Sequence, residues 1–239
     1  MKQALLFIFS IWLLSPLQSH AQSLLPPLEE MPLSQKAYVL LKNGDNIEGK
    51  ILNTTSGRGV NRVVIRDDAN KRHELKADEI VEFGIFSNDL VKAQYINESS
   101  SSIKAMIKTD RSAIKENDYV VFRNAQLKGG KELLLQQLNP HFDAKIQVYH
   151  AANARKTTPL RKGVVTLTGE MQRAYLVSKE GSPTFKVKKG SYKKSFKQLF
   201  ADCPNLLAVR KPKFKDFGKH IYFYTENCKQ EGMDNYMGD

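Results

Sequence analysis

The sequence feature that most constrains the fold is a series of short strand-like runs that begins near residue 38. The first two, 38–42 and 46–52, are joined through Asn43-Gly44, a dipeptide whose tolerance of positive φ angles suits a tight hairpin turn. Three more runs follow at 60–66, 72–75 and 79–86. Because five short strands in so few residues can bury a core only by curling round, we predict a small barrel-like unit of five strands over residues 36–88.

Strand-like runs resume after this unit and predict a second β region. They cover 119–122, 146–149, 164–168, 174–178 and 184–187, and the run 131–138 fits either a strand or a helix. Gly163, Gly169 and Gly181 separate several of these runs, which is typical of an antiparallel meander. We therefore predict an antiparallel β region over 118–190, joined to the barrel-like unit by a connecting segment over 89–117.

Beyond residue 190 the apolar period changes from that of a strand to that of a helix. Two sets of residues recur at helical spacing: Tyr192, Phe196, Leu199 and Cys203, and then Phe217, Ile221, Tyr224 and Cys228. Each set lies on one face of a helix. We therefore predict a helical cap over 191–229 that packs on the sheet, followed by a flexible tail over 230–239. The predicted fold class is mainly β (α+β).

The two cysteines, Cys203 and Cys228, constrain how this cap is built. Two simple antiparallel helices that each ended in a cysteine would hold the sulfurs most of a helix length apart. A disulfide needs Cα atoms about 4.4–6.8 Å apart. We therefore predict a third short helix, capped by Asp202, with Pro204 in its first turn and its end near Arg210. This arrangement places the two cysteines side by side and predicts a disulfide in an exported protein.

The first residues of the chain predict export. A positively charged second residue precedes a short apolar run at 4–17, and small residues at 19–21 suit a signal peptidase. We predict a signal peptide over 1–21 that is cleaved before Gln22, and hence a periplasmic or secreted protein; a retained N-terminal anchor is the alternative. The apolar run is shorter than the roughly 20 residues of a membrane helix, so we expect no transmembrane helix after cleavage. Residues 22–35 contain prolines and no clear period and are predicted to be a linker.

Basic residues exceed acidic ones in this chain, with 37 Lys and Arg against 25 Asp and Glu. The formal net charge is +12, and loss of the one charge of Lys2 with the signal peptide leaves +11. Such a balance favours anionic partners, and an exported protein meets acidic glycans and anionic membrane surfaces rather than nucleic acid. Ten of the basic residues cluster near the C-terminus and are candidates for binding a polyanion. They are Lys186, Lys188, Lys189, Lys193, Lys194, Lys197, Arg210, Lys211, Lys213 and Lys215.

Two aromatic residues, Tyr192 and Phe214, lie in the same stretch as these basic residues. Their rings would suit stacking against a base or a sugar. The alternative interpretation of the cluster is that the lysines only keep a helix surface soluble. On the first predicted helix, Lys193, Lys194 and Lys197 occupy positions off the apolar stripe, so we expect them to face solvent.

Sequence motifs that carry catalysis or bind metals are missing. The histidines beyond the signal peptide are scattered at spacings that do not suit a zinc site. There is no G-x-S-x-G elbow, no phosphate-cradling glycine loop and no H-E-x-x-H. We therefore expect no cofactor, no metal and no catalytic residue. If the chain were a hydrolase, His141 and Asp143 would be the first candidates, because residues two apart on a strand share a face; the alternative is a solvated loop after Pro140.

The segment LKNGDNIEGKI and the strand layout around it resemble Sm-like and SH3-like small barrels over residues 37–86. The resemblance implies a small barrel. In Sm proteins, RNA binds to a loop after the second strand and to a glycine-containing motif before the last strand. Asn61 lies near the first of these positions, whereas the segment LKADEIVEF at 75–83 lacks the second motif.

A second resemblance covers the NGDNIEGKI hairpin and the C-terminal segment Asp202-Cys203-Pro204-Asn205-Leu206, with Tyr224 and Cys228. These motifs resemble a group of secreted bacterial proteins of unknown function, in which a β-rich body precedes a helical tail. The resemblance implies export and the same architecture. It implies no activity.

Three functional hypotheses follow from the sequence. The first is an exported, non-catalytic binding or structural module of the cell envelope or secreted fraction, with an unknown protein or glycan partner. The second is a polyanion binder that uses the C-terminal basic cluster. The third is an unrecognised hydrolase.

Overall fold

The computed structural model describes residues 24–28, 30–87, 92, 119–154, 160–162, 165–168 and 172–228. The predicted signal peptide, the tail after residue 229 and nearly all of the predicted connecting segment lie outside these ranges. The described residues form a closed β-barrel, a second antiparallel sheet and short helices at the C-terminal end. The predicted fold class, mainly β with a barrel, a second sheet and a helical cap, is confirmed.

Six strands close the barrel, and a seventh extends its sheet. The seven strands are β1 (Lys36–Leu41), β2 (Asn46–Ser56), β3 (Val60–Asp67), β4 (Arg72–Lys76), β5 (Ile80–Phe86), β6 (Tyr119–Gln126) and β7 (Glu132–Gln136). They are arranged in the order β2-β1-β5-β6-β7-β3-β4, and the additional pairing of β2 with β3 closes the barrel. The predicted hairpin turn joins β1 to β2, with Gly44 at a φ of +94°.

The barrel draws two of its strands from the region that the sequence analysis assigned to the second β unit. The five-strand unit over 36–88 is therefore incomplete by itself, and this boundary was wrong. Strand β6 pairs with β5 through its residues Tyr119 to Arg123, and the side chains of Phe122 and Leu134 complete the core around Phe83 and Ile85. The ambiguous run 131–138 contains strand β7. Apolar and polar residues do not alternate along this strand because it is buried on both faces. Leu133, Leu134 and Leu135 are all buried.

The N-terminal segment 24–35 packs against the barrel and is not a free linker. The backbone N–H of Leu25 donates to the carbonyl of Leu138 at 2.7 Å, and that of Leu28 donates to Oε1 of Gln136 at 2.8 Å. Both leucine side chains are buried in the barrel core. The linker prediction was wrong for the described part of this segment because its leucines bury apolar surface, which the prolines and missing period did not reveal.

The second sheet has the strand order β12-β11-β8. Its strands are β8 (Ile146–His150), β11 (Ala174–Lys179) and β12 (Phe185–Lys188), and a separate hairpin is formed by β9 (Leu160–Lys162) and β10 (Val165–Thr168). Of these strands, β9 was not predicted. A bridge between Gln137 and Tyr149 joins the end of β7 to β8. Tyr149 also packs on Leu133 and Leu135, so the second sheet is anchored on the barrel.

Three short helices cover one face of this sheet: α1 (Tyr192–Leu199), α2 (Pro204–Leu207) and α3 (Phe217–Asn227). Val148, Val177 and Val187 of the sheet share a core with the apolar stripes of α1 and α3. Helix α2 carries Pro204 in its first turn and is a single turn long. Its predicted extension to about residue 210 was wrong, since the side chains of Leu207 and Val209 are largely exposed and bury little surface that would hold further turns.

The cysteines lie side by side at the start of α2 and the end of α3. Cys203 and Cys228 form a disulfide with Cα atoms 5.5 Å apart. The predicted cap residue of α2 was wrong, because Cys203 occupies that position and no side chain caps the helix. The Asp202 carboxylate instead accepts hydrogen bonds from Lys179 Nζ at 2.9 Å and from the Tyr224 hydroxyl at 2.5 Å. Asp202 therefore ties the cap to strand β11.

Candidate binding surfaces

The basic cluster begins on β12, the edge strand of the second sheet. Val187 of this strand faces the helices, whereas Lys186 and Lys188 alternate with it and point to the opposite face. Lys186 lies across from Leu176 in the neighbouring strand, and Leu176 packs toward the barrel. The two strand lysines are exposed. They therefore lie on the barrel side of the sheet.

The remaining basic residues belong to the helical side. In α1, Tyr192, Phe196 and Leu199 are buried, so that Lys193, Lys194 and Lys197 occupy the outer surface and are exposed. Lys189, in the short turn before this helix, is exposed as well. The prediction that the helix lysines lie off the apolar stripe is confirmed.

The segment 210–215 is held next to α1 by one aromatic side chain. The Phe214 ring stacks on Tyr175 with centroids 5.4 Å apart and meets Tyr192 edge-on at 5.5 Å. Lys213 and Lys215 flank Phe214 and are exposed. The start of α1 and this segment thus bring basic side chains from two parts of the chain to one surface.

Tyr192 and Phe214 do not present their rings to a ligand. Their side chains are only 3% and 8% exposed because both belong to the core under the helices. The prediction that they would stack on a base or a sugar was therefore wrong. This surface therefore offers a ligand its basic side chains and not these two rings.

We call the eight basic residues on the helical side the lysine surface. They are Lys189, Lys193, Lys194, Lys197, Arg210, Lys211, Lys213 and Lys215. Within the described ranges, no carboxylate forms an ion pair with any of them. Their charges are thus open to an external anion.

The candidate hydrolase pair is not assembled as the sequence suggested. Residues 141–143 form a turn rather than a strand, so His141 and Asp143 do not share a strand face. The Asp143 carboxylate accepts hydrogen bonds from the Arg123 guanidinium at 2.9 Å and from Gln137 Nε2 at 2.7 Å. Arg123 also donates to Glu82 of β5 at 2.9 Å. Asp143 therefore ties the turn before β8 to the barrel.

Metal-binding clusters are not found in the part of the chain that the structure describes. No group of three or more His, Cys, Asp or Glu side chains converges there. His73 pairs with Asp67 at 2.7 Å, and His220 Nδ1 lies 2.7 Å from the Tyr192 hydroxyl. Each of these histidines has a local structural partner.

An aromatic group on the outside of the barrel was not found by sequence reasoning. The Tyr119 ring lies 5.0 Å from that of Tyr38 and 5.7 Å from that of Phe86, which is 39% exposed. The Tyr38 hydroxyl donates to Glu82 at 2.5 Å; burial and this hydrogen bond raise the pKa of Tyr38 well above its usual value. The signal was hidden because β1, β5 and β6 come together only in the closed sheet.

Comparison with protein-family models, with curated proteins and with solved structures finds no match to this chain. Among the helices in the described ranges, none has the length and apolar character needed to cross a membrane.

Proposed function

We propose that the protein is an exported, non-catalytic binding module that engages polyanions, such as acidic glycans or anionic membrane surfaces, through the lysine surface. The observation that carries this proposal is the exposure of all eight basic side chains without an acidic partner among the described residues. Export is supported by the signal-like N-terminus and by the Cys203–Cys228 disulfide, a bond typical of oxidising compartments.

The chemistry of the surface favours a diffuse anionic partner over a small ligand. Seven of its eight residues are lysines, which are flexible point charges rather than the planar forks that grip a single carboxylate or phosphate. They project from a turn, a helix and a loop. Binding of this kind depends on the release of counterions and weakens steeply as salt rises.

Retention on a heparin column tests the proposal with the protein from residue 22 onward. We expect retention at physiological salt and elution by a salt gradient. Replacing Lys193, Lys194 and Lys197 together by glutamine should move elution to a clearly lower salt concentration, because it removes three positive charges from the surface. The three side chains are exposed, so the replacement should leave the fold intact. A matched triple variant of Lys50, Arg66 and Lys71 removes equal charge from exposed barrel positions.

The matched variant separates a defined surface from net charge alone. If both triple variants elute at the same salt concentration, the lysine surface contributes no more to heparin binding than other exposed basic residues. Complete loss of wild-type retention below physiological salt would also refute the proposal. Vesicles that contain anionic lipid, compared with neutral vesicles, then distinguish a membrane surface from a soluble glycan.

A second candidate function is favoured by the aromatic group on the barrel. Rings of Tyr38, Phe86 and Tyr119 on one sheet face suit the apolar face of a sugar or an aromatic side chain of a protein partner. Titration with neutral oligosaccharides, followed by NMR, tests this candidate. Replacing Phe86 with serine should weaken any binding that neutral sugars show, and unchanged binding would exclude the aromatic group.

A further inference from the structure

The barrel has one weak seam. Strands β3 and β7 pair at a single position, Val60 with Leu134, whereas the other neighbouring strands of the barrel pair over five residues or more. On one side of this pair lies a cavity of about 480 Å³. Its volume is within the range of about 300–1,000 Å³ that small-molecule sites occupy.

The floor of this cavity is apolar. It is made by Leu28 of the N-terminal segment, Val60 and Leu134 at the seam, and Phe122 of β6. All four side chains also belong to the barrel core. A hydrocarbon chain or ring placed here would remove apolar surface from water against walls that the fold already holds in place.

The rim of the cavity carries Arg58, which the turn between β2 and β3 holds there. Gly57 N–H donates to the carbonyl of Gly59 at 3.0 Å. Gly59 is pressed on β7, since a Cβ at this position would lie 2.6 Å from Leu135 Cδ2. The turn is thus fixed on the barrel, and the exposed Arg58 side chain extends from it without an ion-pair partner among the described residues.

Polar side chains also line the cavity. His150, at the end of β8, and Gln172 both line the cavity, and their Nε2 atoms lie 3.4 Å apart. Oε1 of Gln172 is buried and has no hydrogen-bond partner among the described residues. Unsatisfied buried polar atoms are rare, and one in a cavity wall fits a site whose hydrogen bonding is completed by a ligand or its water.

We infer that this cavity binds a small amphiphilic anion, with its apolar part on the floor and its negatively charged head at Arg58. The guanidinium group is suited to a carboxylate or a phosphate because it offers paired donors in one plane. Glu30 is the one acidic side chain that lines the cavity among the described residues, and it opposes this charge preference. The site is separate from the lysine surface and does not depend on the polyanion proposal.

Octanoate serves as the probe, with 1-octanol and acetate as comparators that lack the charge or the chain. Titration of the labelled protein, followed by NMR, should show octanoate binding more tightly than either comparator. Arg58→Gln should weaken octanoate binding by about tenfold or more, which is the scale of a lost charged hydrogen bond. It should leave the affinity for 1-octanol unchanged. Arg66→Gln, at an exposed position outside the cavity, is the matched control.

Two further variants locate the ligand and test its charge. Ala154→Phe should block binding by filling the cavity, while Asn153→Phe in the same turn, outside the lining, should not. Glu30→Gln should tighten octanoate binding, since it removes a like charge. Equal octanoate affinity in wild type and Arg58→Gln, or binding that survives Ala154→Phe, overturns the inference. The glutamine triple variant at 193, 194 and 197 should bind octanoate like wild type.

Octyl phosphate, compared with octanoate, tests whether the anionic head of the ligand is a phosphate or a carboxylate. Binding tighter than that of octanoate, and equally sensitive to Arg58→Gln, assigns the site to a phosphorylated amphiphile such as a lipid head group with a short chain. Weaker binding assigns it to a carboxylate. Both results support the inference, whereas binding of neither anion to the wild-type protein overturns it.

Discussion

The carbonyl oxygen of Arg66 occupies the space in which a side chain on Gly49 would begin. Gly49 in β2 lies across from Asp67, the residue after Arg66 in β3, and the two backbones approach so closely that a Cβ would overlap backbone atoms. Because a backbone cannot yield as a side-chain tip can, we expect Gly49→Ala to lower the free energy of unfolding by about 1–3 kcal/mol. Urea denaturation measures this change.

Gly57 provides the control for that experiment. It has no atom within 4 Å of a built Cβ and no positive φ, so Gly57→Ala should leave the free energy of unfolding unchanged or slightly raised. If both variants unfold alike, close packing of β2 on β3 does not contribute to stability.

The Cys203–Cys228 disulfide should be present in the exported protein and should stabilise the cap. The cysteines are 25 residues apart, and closing a loop of this size contributes roughly 3 kcal/mol on the chain-entropy model. We expect the double Cys→Ser variant to unfold at lower urea than wild type. Mass spectrometry after alkylation without reductant should show no labelled cysteine, and two labelled cysteines would contradict the prediction.

His220 should make the protein less stable in acid. Burial among Tyr192 and Phe196 lowers the pKa of His220, although Asp216 acts against this shift. The unfolded chain then binds a proton more readily than the folded chain, so the free energy of unfolding should fall as pH drops below about 6.5. His220→Gln should reduce this slope between pH 7 and 5.

The exposed Gln198 of α1, which carries no titrating group, supplies the control for the pH experiment. Gln198→Ala should keep the wild-type dependence of unfolding on pH. An unchanged slope in His220→Gln would show that other groups cause the acid sensitivity. Thermal unfolding at several pH values measures both variants.

Asn124 of β6 should be important for holding the start of β5 and the start of β7 on either side of it. Its Nδ2 donates to the carbonyl of Ile80 at 3.0 Å and to the Glu132 carboxylate at 3.1 Å. Replacing Asn124 with alanine removes these hydrogen bonds, although Lys42 still donates to Glu132, and should lower the free energy of unfolding by about 1–3 kcal/mol. Asn46→Ala, at an exposed position, should change it little, and equal effects would refute this role.

Local features of the fold could be predicted from the sequence because neighbouring residues determine them. Asn43-Gly44 fixed the first hairpin through a positive φ at Gly44, and the spacing of Tyr192, Phe196 and Leu199 located α1. Closure of the barrel could not be predicted in this way. It depends on pairs such as Gly84 with Val121, whose distance along the chain leaves no periodic signal.

The candidate sites likewise combine features that neighbouring residues determine with features that depend on tertiary packing. Exposure of Lys193, Lys194 and Lys197 followed from the helical period, whereas the burial of Phe214 against Tyr175 depended on tertiary packing. The cavity is lined by residues from several separate segments. Its one local signal is Arg58 between two glycines, and this signal alone does not distinguish a site from an ordinary turn.

The late position of β6 and β7 in the chain affects how the protein can be made. Until Tyr119 and the residues after it have been synthesised, β5 has no partner on its outer side, and the barrel stays open. A nascent or truncated chain that ends near residue 88 would present the free edge of β5 and the start of β3 at Val60 without its β7 partner, with Phe83 and Ile85 uncovered. Such edges invite pairing with other chains, so premature termination should give aggregates rather than a smaller folded barrel.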